Sequence, residues 1–370
     1  AKDFILSMAE ADKNSMWIGT DGAGLVKWDW AQRKAVDYRI ENAYLRDQAF
    51  ITGLTQDKDE QLWISTYDRG IFKLDIRSGK TTAYPCFYPN TEYINQTVWR
   101  LFQDQKGGIW ASTLNGGQVY TLDRQHDRFV PAGLPLSDVL SFLEEGSTAL
   151  WMGSWSTVVR YDWARKTHRD YNIGSPVRFV LRADVRHLWV GTEGGGLLHL
   201  DIQSGKFQRY TEQQGLPSNT LLNALQDQAG NLWISTYNGL SKFDPKTLRF
   251  QNFYKTDGLQ SNQFNYNAAL QLANKQMVFG GIRGFNVFVP EQLAITSAFP
   301  PLMFTHLQID NKDYGSYSDY AEQPLNEAKL LEIPYDKAVL TFSFAALEYS
   351  FPDKIKYAYY LDGWDKDWNY

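Results

Sequence analysis

The amino-acid sequence predicts an all-β protein, a seven-bladed β-propeller followed by a shortened immunoglobulin-like β-sandwich. Three observations carry that reading. One motif returns seven times at a near-constant interval. Aromatic residues make up 15% of the chain, with 13 Trp and 22 Tyr, and flat rings pack well on pleated surfaces. The period of the pattern changes near residue 300. The boundaries expected are 1–299 for the propeller and 300–370 for the sandwich.

The motif reads MWIGTDGAGLVKWD, LWISTYDRGIFKLD, IWASTLNGGQVYTLD, LWMGSWSTVVRYD, LWVGTEGGGLLHLD, LWISTYNGLSKFD and, more weakly, MVFGGIRGFNVFVP. Its anchor aromatics are Trp17, Trp63, Trp110, Trp151, Trp189, Trp233 and Phe279, spaced 46, 47, 41, 38, 44 and 46 residues apart. Around each anchor lie four short alternating stretches joined by Gly-, Asn- and Asp-containing turns. Four antiparallel strands per repeat of this length make one propeller blade. Two residues after each anchor, on the same strand face, stands a small residue: Gly19, Ser65, Ser112, Gly153, Gly191, Ser235 or Gly281. A large ring beside a small residue fits interdigitating sheets, so the tryptophans read as core. The seventh repeat shows no clear fourth strand. That strand is expected either upstream of Ala1 or from residues near Ala294–Ser297.

In the tail, stretches at 303–309, Leu330–Ile333, Val339–Leu347 and Ile355–Leu361 alternate as short strands, the spacing of a sandwich. The segment 363–368 reads as a turn with a strand still to come, so the sequence is expected to be a piece of a longer protein.

Two segments carry a resemblance. DQAGNLWISTYNGL at 227–240 and LWVGTEGGGL at 188–197 resemble the two-component regulator propeller repeat. FSFAALEYS at 342–350 and IKYAYYLDGWDKDW at 355–368 resemble the triple-tyrosine (Y-Y-Y) domain that follows such propellers. The resemblance implies the sensor region of a hybrid two-component system, or of a similar receptor with a different output. It implies a periplasmic location in a receptor of the inner membrane, anchored by a transmembrane helix outside this sequence. It also implies an oligosaccharide signal and a homodimer in the full-length receptor. This region itself is then no enzyme, whatever output module follows.

The charge of -5 shows no basic run, so neither nucleic acid nor a polybasic membrane contact is indicated. Cys86 is the sole cysteine, which excludes an intramolecular disulfide and a thiolate cluster. The five histidines are scattered in sequence, so no metal and no cofactor is expected. Gly194–Gly196 joins two strands and reads as a turn, not a phosphate cradle. Glu144 and Glu145 read as part of a strand-to-strand turn. Asp57, Asp104 and Asp227 recur at one repeat position and read as turn formers.

Ligand contacts are expected where the repeats differ. Four residues after each anchor, the turn between second and third strands begins, and there the sequence varies widely. This position and its neighbours supply Asp21, Tyr67, Asp68, Arg69, Asn115, Trp155, Glu193, Tyr237, Asn238 and Arg283 as ligand-binding candidates. The connections between blades supply Asn265 and Tyr266, with Tyr93, Asn95, Gln96, Arg178, Asn219 and Asn262 beside them. Aromatic rings beside amides and charges suit a small carbohydrate, which stacks one face and presents hydroxyls at its rim. Arg69 and Arg283 suit an acidic sugar. The rival readings are a propeller polysaccharide lyase or glycosidase and a protein-interaction scaffold.

Overall fold

The structure is a computed structural model. It describes residues 4–57, 59–293, 301–313, 325–327, 330–333, 339–347, 355 and 357–369. The chain divides into two compact units, Ala1–Leu293 and Ala294–Tyr370.

The first unit is a seven-bladed propeller. Six blades are four-stranded antiparallel sheets in simple sequence order. Blade one holds Ile5–Asp12, Ser15–Thr20, Leu25–Asp29 and Lys34–Val36. Blade six holds Leu221–Gln226, Leu232–Thr236, Gly239–Asp244 and Arg249–Phe253. Blade seven shows Phe264–Gln271, Met277–Gly281 and Gly284–Phe288, three strands among the described residues. The fourth strand expected near Ala294–Ser297 lies outside the described residues.

The inner strands meet around the channel and are tied by polar side chains. Ser7 Oγ donates to the Ile51 carbonyl, Thr52 Oγ1 to Val98, Ser141 Oγ to Val177 and Asn223 Nδ2 to Tyr266. Asn265 Nδ2 donates to the Ile5 carbonyl at 2.7 Å and closes the ring between blades seven and one. Behind that bond, Ile5, Met8, Met16 and Ile18 pack against Ala268, Leu272 and Val278. Such ties satisfy backbone carbonyls that the inner edge would otherwise leave unpaired.

In five blades the anchor ring packs against an aromatic at or beside the end of its own outer strand, and in several it also meets one from the next blade. Trp63 meets Tyr84 and Phe129; Trp233 meets Phe253 and Phe288. The small residue two positions on has a different cause from the one the sequence suggests. A Cβ at Gly19 would collide with Ile51 of the next blade, and one at Gly191 with Phe179 of its own inner strand. Close approach of the inner strands, not room for the ring, demands a small residue there. Blade three is the exception among the anchors: Trp110 is only partly buried. Ala132 stands where the other outer strands end in an aromatic. A cleft of about 350 Å³ lies beside Trp110, lined also by Phe102, Trp163, Lys106 and Glu144.

In the second unit, Leu302–Ile309 pairs with Lys312–Asp313 on one side and Leu340–Ala346 on the other. The strand expected at 339–347 is present. Leu330–Ile333 is not a strand, and in 355–361 the described residues show one bridge, Tyr359 to Asn369. Among the described residues, no helix is long and apolar enough to cross a membrane.

Candidate functional site at the channel mouth

Five inner strands slip register one residue after they begin: at Ile5/Ser7, Ile51/Gly53, Val98/Arg100, Val177/Phe179 and Leu221/Asn223. Each slip is a β-bulge, which leaves one residue unpaired and re-aims its side chain. The bulged residues are Leu6, Thr52, Trp99, Arg178 and Leu222. Blade seven carries a wider irregularity between Phe264 and Ala269, which frees Asn265, Tyr266 and Asn267 from the ladder. Blade four is in register throughout.

These bulges build one cavity of about 420 Å³. Leu6, Thr52, Trp99 and the three blade-seven residues form part of its wall. Asp21, Phe50, Tyr67 and Tyr237 form the rest with Phe4 and Gln263. Tyr67 is 51% exposed and Tyr237 37%, so both rings present open surface at the mouth.

A hydrogen-bonded chain runs from this wall into the protein. The Tyr237 and Tyr266 hydroxyls bond each other, and Tyr266 Oη donates to Glu193 Oε1 at 3.4 Å. Glu193 Oε2 accepts from Arg178 Nε at 2.7 Å and also from Nη2. The Arg178 guanidinium lies 4.3 Å from the Tyr266 ring centre and 5.6 Å from those of Trp99 and Trp155. Three rings thus enclose one cation, which strengthens cation–π attraction by excluding water. Burial, then the bond to Tyr237 and the charge of Glu193, pushes the Tyr266 phenol up. Burial also raises the Asp21 carboxyl.

Of the sequence candidates, Asp21, Tyr67, Tyr237, Asn265 and Tyr266 line the cavity, and Glu193 and Trp155 adjoin it through Arg178. The other five do not join it. Asp68 accepts from the Tyr44 hydroxyl, and the Arg69 guanidinium lies 4.0 Å over the Tyr44 ring. Tyr44 comes from the short helix Ala43–Asp47 between blades one and two, an element the strand pattern did not show. Asn115 holds a turn at φ 64° and bonds Thr97. Asn238 donates to the Pro217 carbonyl. Arg283 is exposed, with its backbone N–H on Gln260. Asn265 lines the cavity, but its amide nitrogen is used in closing the ring.

The connection residues are mostly structural. Asn95 is buried on the Leu114 carbonyl, and Asn219 and Asn262 accept from Glu212 and Lys255 backbone N–H groups. Arg178 is no connection residue but the bulge of blade five. Trp99, Thr52 and Asn267 went unread as site residues. A signal for the bulges exists: Leu6, Thr52, Trp99, Arg178 and Leu222 each stand eleven positions before their anchor.

The opposite turns behave otherwise. Asp57, Asp104 and Asp227 accept from the indole N–H of Trp63, Trp110 and Trp233 and from turn backbone. Glu145 ends the inner strand Ser141–Glu145 and is not in a turn; it takes the same role for Trp151 at 2.6 Å. Cys86 is buried, which pushes its thiol up to about 12. The histidines are less scattered than their positions suggest. His187 and His199 stack at 4.5 Å, and Asp184 bonds His187.

Fold and cavity together define a β-propeller with an aromatic-walled cavity at one end of its channel, and the comparisons with known proteins agree on the fold. Residues 215–238 match the two component regulator propeller family, so the chain carries that repeat in its sixth unit. The chain is 23% identical over 98% of its length to histidine kinase P4 of Formosa agariphila, of which it spans 28%. In structure it matches the extracellular domain of the hybrid two-component system BT3049 of B. thetaiotaomicron. The TM-score there is 0.74 at 20% identity, covering 99% of this chain and 50% of that one. It also matches virginiamycin B lyase from Staphylococcus aureus, with a TM-score of 0.59 at 13% identity, covering 77% of this chain and 94% of that one.

Proposed function

We propose that this chain is the ligand-recognising, extracytoplasmic region of a bacterial signalling receptor, and that it binds an oligosaccharide at the channel mouth without transforming it. The carrying observation is convergence. Three residues eleven before an anchor (Leu6, Thr52 and Trp99) and three residues four after one (Asp21, Tyr67 and Tyr237) meet in one aromatic-walled cavity. Free tyrosine faces, a carboxylate and amides are what a sugar's apolar face and hydroxyls require. The full receptor is periplasmic in this reading and works as a homodimer. Ligand drives signalling only through a difference in affinity between two arrangements of that dimer.

The test is calorimetric titration of the chain against a panel of oligosaccharides, with product analysis of each mixture. The reading expects saturable binding and intact ligand. Shortened or unsaturated products would establish a glycosidase or lyase, and no binding across the panel would leave the interaction scaffold as the better account.

A further inference from the structure

The channel mouth holds cationic hydrogen-bonding capacity that the fold does not use. Arg100 follows the bulged Trp99 in the inner strand of blade three. Its Nη1 reaches across the channel and donates to Asn267 Oδ1 at 2.6 Å. Asn267 has no other way to face it, because its Nδ2 serves the carbonyls of Thr52 and Trp99 at 3.0 and 3.1 Å. One amide oxygen is a poor match for a guanidinium with five N–H donors. Arg100 makes no ion pair among the described residues, and burial lowers its pKa.

Arg178 is the second case. It is 7% exposed, its Nε and Nη2 go to Glu193, and its Nη1 is buried with no partner. Burying a donor unpaired is costly, so such atoms mark places where something else bonds. Neither arginine lines the cavity itself: Arg178 lies against the ring of the wall residue Trp99, and Arg100 follows Trp99 in the chain and bonds the wall residue Asn267. Asp21 does not neutralise them. Burial alone raises its carboxyl, with no lowering by a nearby cation.

We propose that this cavity selects an acidic saccharide, one whose sugar ring carries a carboxylate, and that Arg100 and Arg178 hold that carboxylate beside Trp99. This rests on the saccharide reading above and narrows it. A carboxylate matches the planar fork of a guanidinium and supplies the counter-charge that Arg100 lacks, while Arg178, already paired with Glu193, adds its unpartnered Nη1. The sugar body then lies against Tyr266, Tyr237 and Tyr67, and Asp21 accepts from its hydroxyls. Arg69 and Arg283, the arginines the sequence suggests for this task, stand elsewhere.

The experiment compares matched twins by calorimetry on the whole chain. The probes are the trisaccharides of galacturonic, glucuronic and mannuronic acid, each beside its counterpart with the carboxyls reduced to hydroxymethyl groups. The proposal expects at least one acid to bind tenfold or more tightly than its reduced twin. That preference weakens with added sodium chloride, vanishes in Arg100→Gln and survives in Arg283→Gln. Arg100→Lys, which keeps the charge and loses the fork, gives an intermediate preference and guards against misfolding in the glutamine variant. Equal or tighter binding of the reduced twins overturns the acidic preference and leaves the saccharide reading standing. No binding by either member of any pair overturns both.

Discussion

The two ends of the propeller's inner strands use the same kinds of residue for opposite purposes. At one end, Asp57, Asp104, Glu145 and Asp227 each accept an indole N–H. One buried donor there, Arg182 Nη1 beside Glu145, is also without a partner. At the other end, Asp21 sits in a cavity wall, Arg178 has an orphaned Nη1 and Arg100 leans on one amide. The first pattern recurs in four blades, whereas the residues at the second end vary among the blades. In a repeat protein, what recurs holds the blades together, and what varies at a fixed offset is free to meet a ligand.

Several variants sharpen or break that contrast. The largest effect is expected from Trp233→Ala. Its ring is 1% exposed and bridges blades six and seven through Phe253 and Phe288, so its loss costs about 3–5 kcal/mol. Chemical denaturation reads that cost directly. Asp227→Ala comes next. It strips the buried Trp233 indole and the Asn231 backbone of their acceptor, worth about 1–3 kcal/mol. A melting temperature within a degree of the parent would mean that water replaces the carboxylate.

Glu145→Gln makes a pH-dependent prediction. Burial alone would raise the Glu145 carboxyl, but hydrogen bonds from Arg160 and Trp151 and the charge of Arg182 hold it below its ordinary 4.5. A lowered folded-state pKa adds stability above pH 4.5 that drains away as pH falls through the folded value. The parent should therefore lose its margin over Glu145→Gln as denaturation is followed from pH 6 to pH 3. The smallest effect is at Asp21, where the sign reverses. Burial raises its folded-state pKa, so the ionised form is disfavoured in the fold. Asp21→Asn should melt slightly higher at neutral pH, with the gain disappearing below the ordinary carboxylate range, while weakening any ligand that uses the carboxylate.

Much of the fold was legible because the anchors repeat. Trp17 to Phe279 set seven blades, and the Gly-containing turns after them set the hairpins. The cavity was half legible. Tyr67 and Tyr237 were found because a turn position that varies beside a constant anchor is visible by eye, and Tyr266 because it falls in a connection between blades. Trp99 was missed and Arg178 was read as a blade connection because their strands look like ordinary alternating runs; only the register slip turns them into the channel. Asp68 and Arg69 misled because the helix carrying Tyr44 is too short to leave a periodic trace, yet it captures both side chains. The Leu330–Ile333 run alternates like a strand, but tertiary context overrode that preference.

The most direct test of the central claim pairs one residue from each end. Tyr266→Ala and Asp227→Ala are each measured for melting temperature and, well below it, for binding of whichever oligosaccharide the parent takes up. The account predicts that Tyr266→Ala loses tenfold or more in affinity, about 1.4 kcal/mol, with the smaller loss of stability. It predicts that Asp227→Ala melts earlier and binds as the parent does. The reverse pattern, with binding lost at Asp227 and kept at Tyr266, would contradict it.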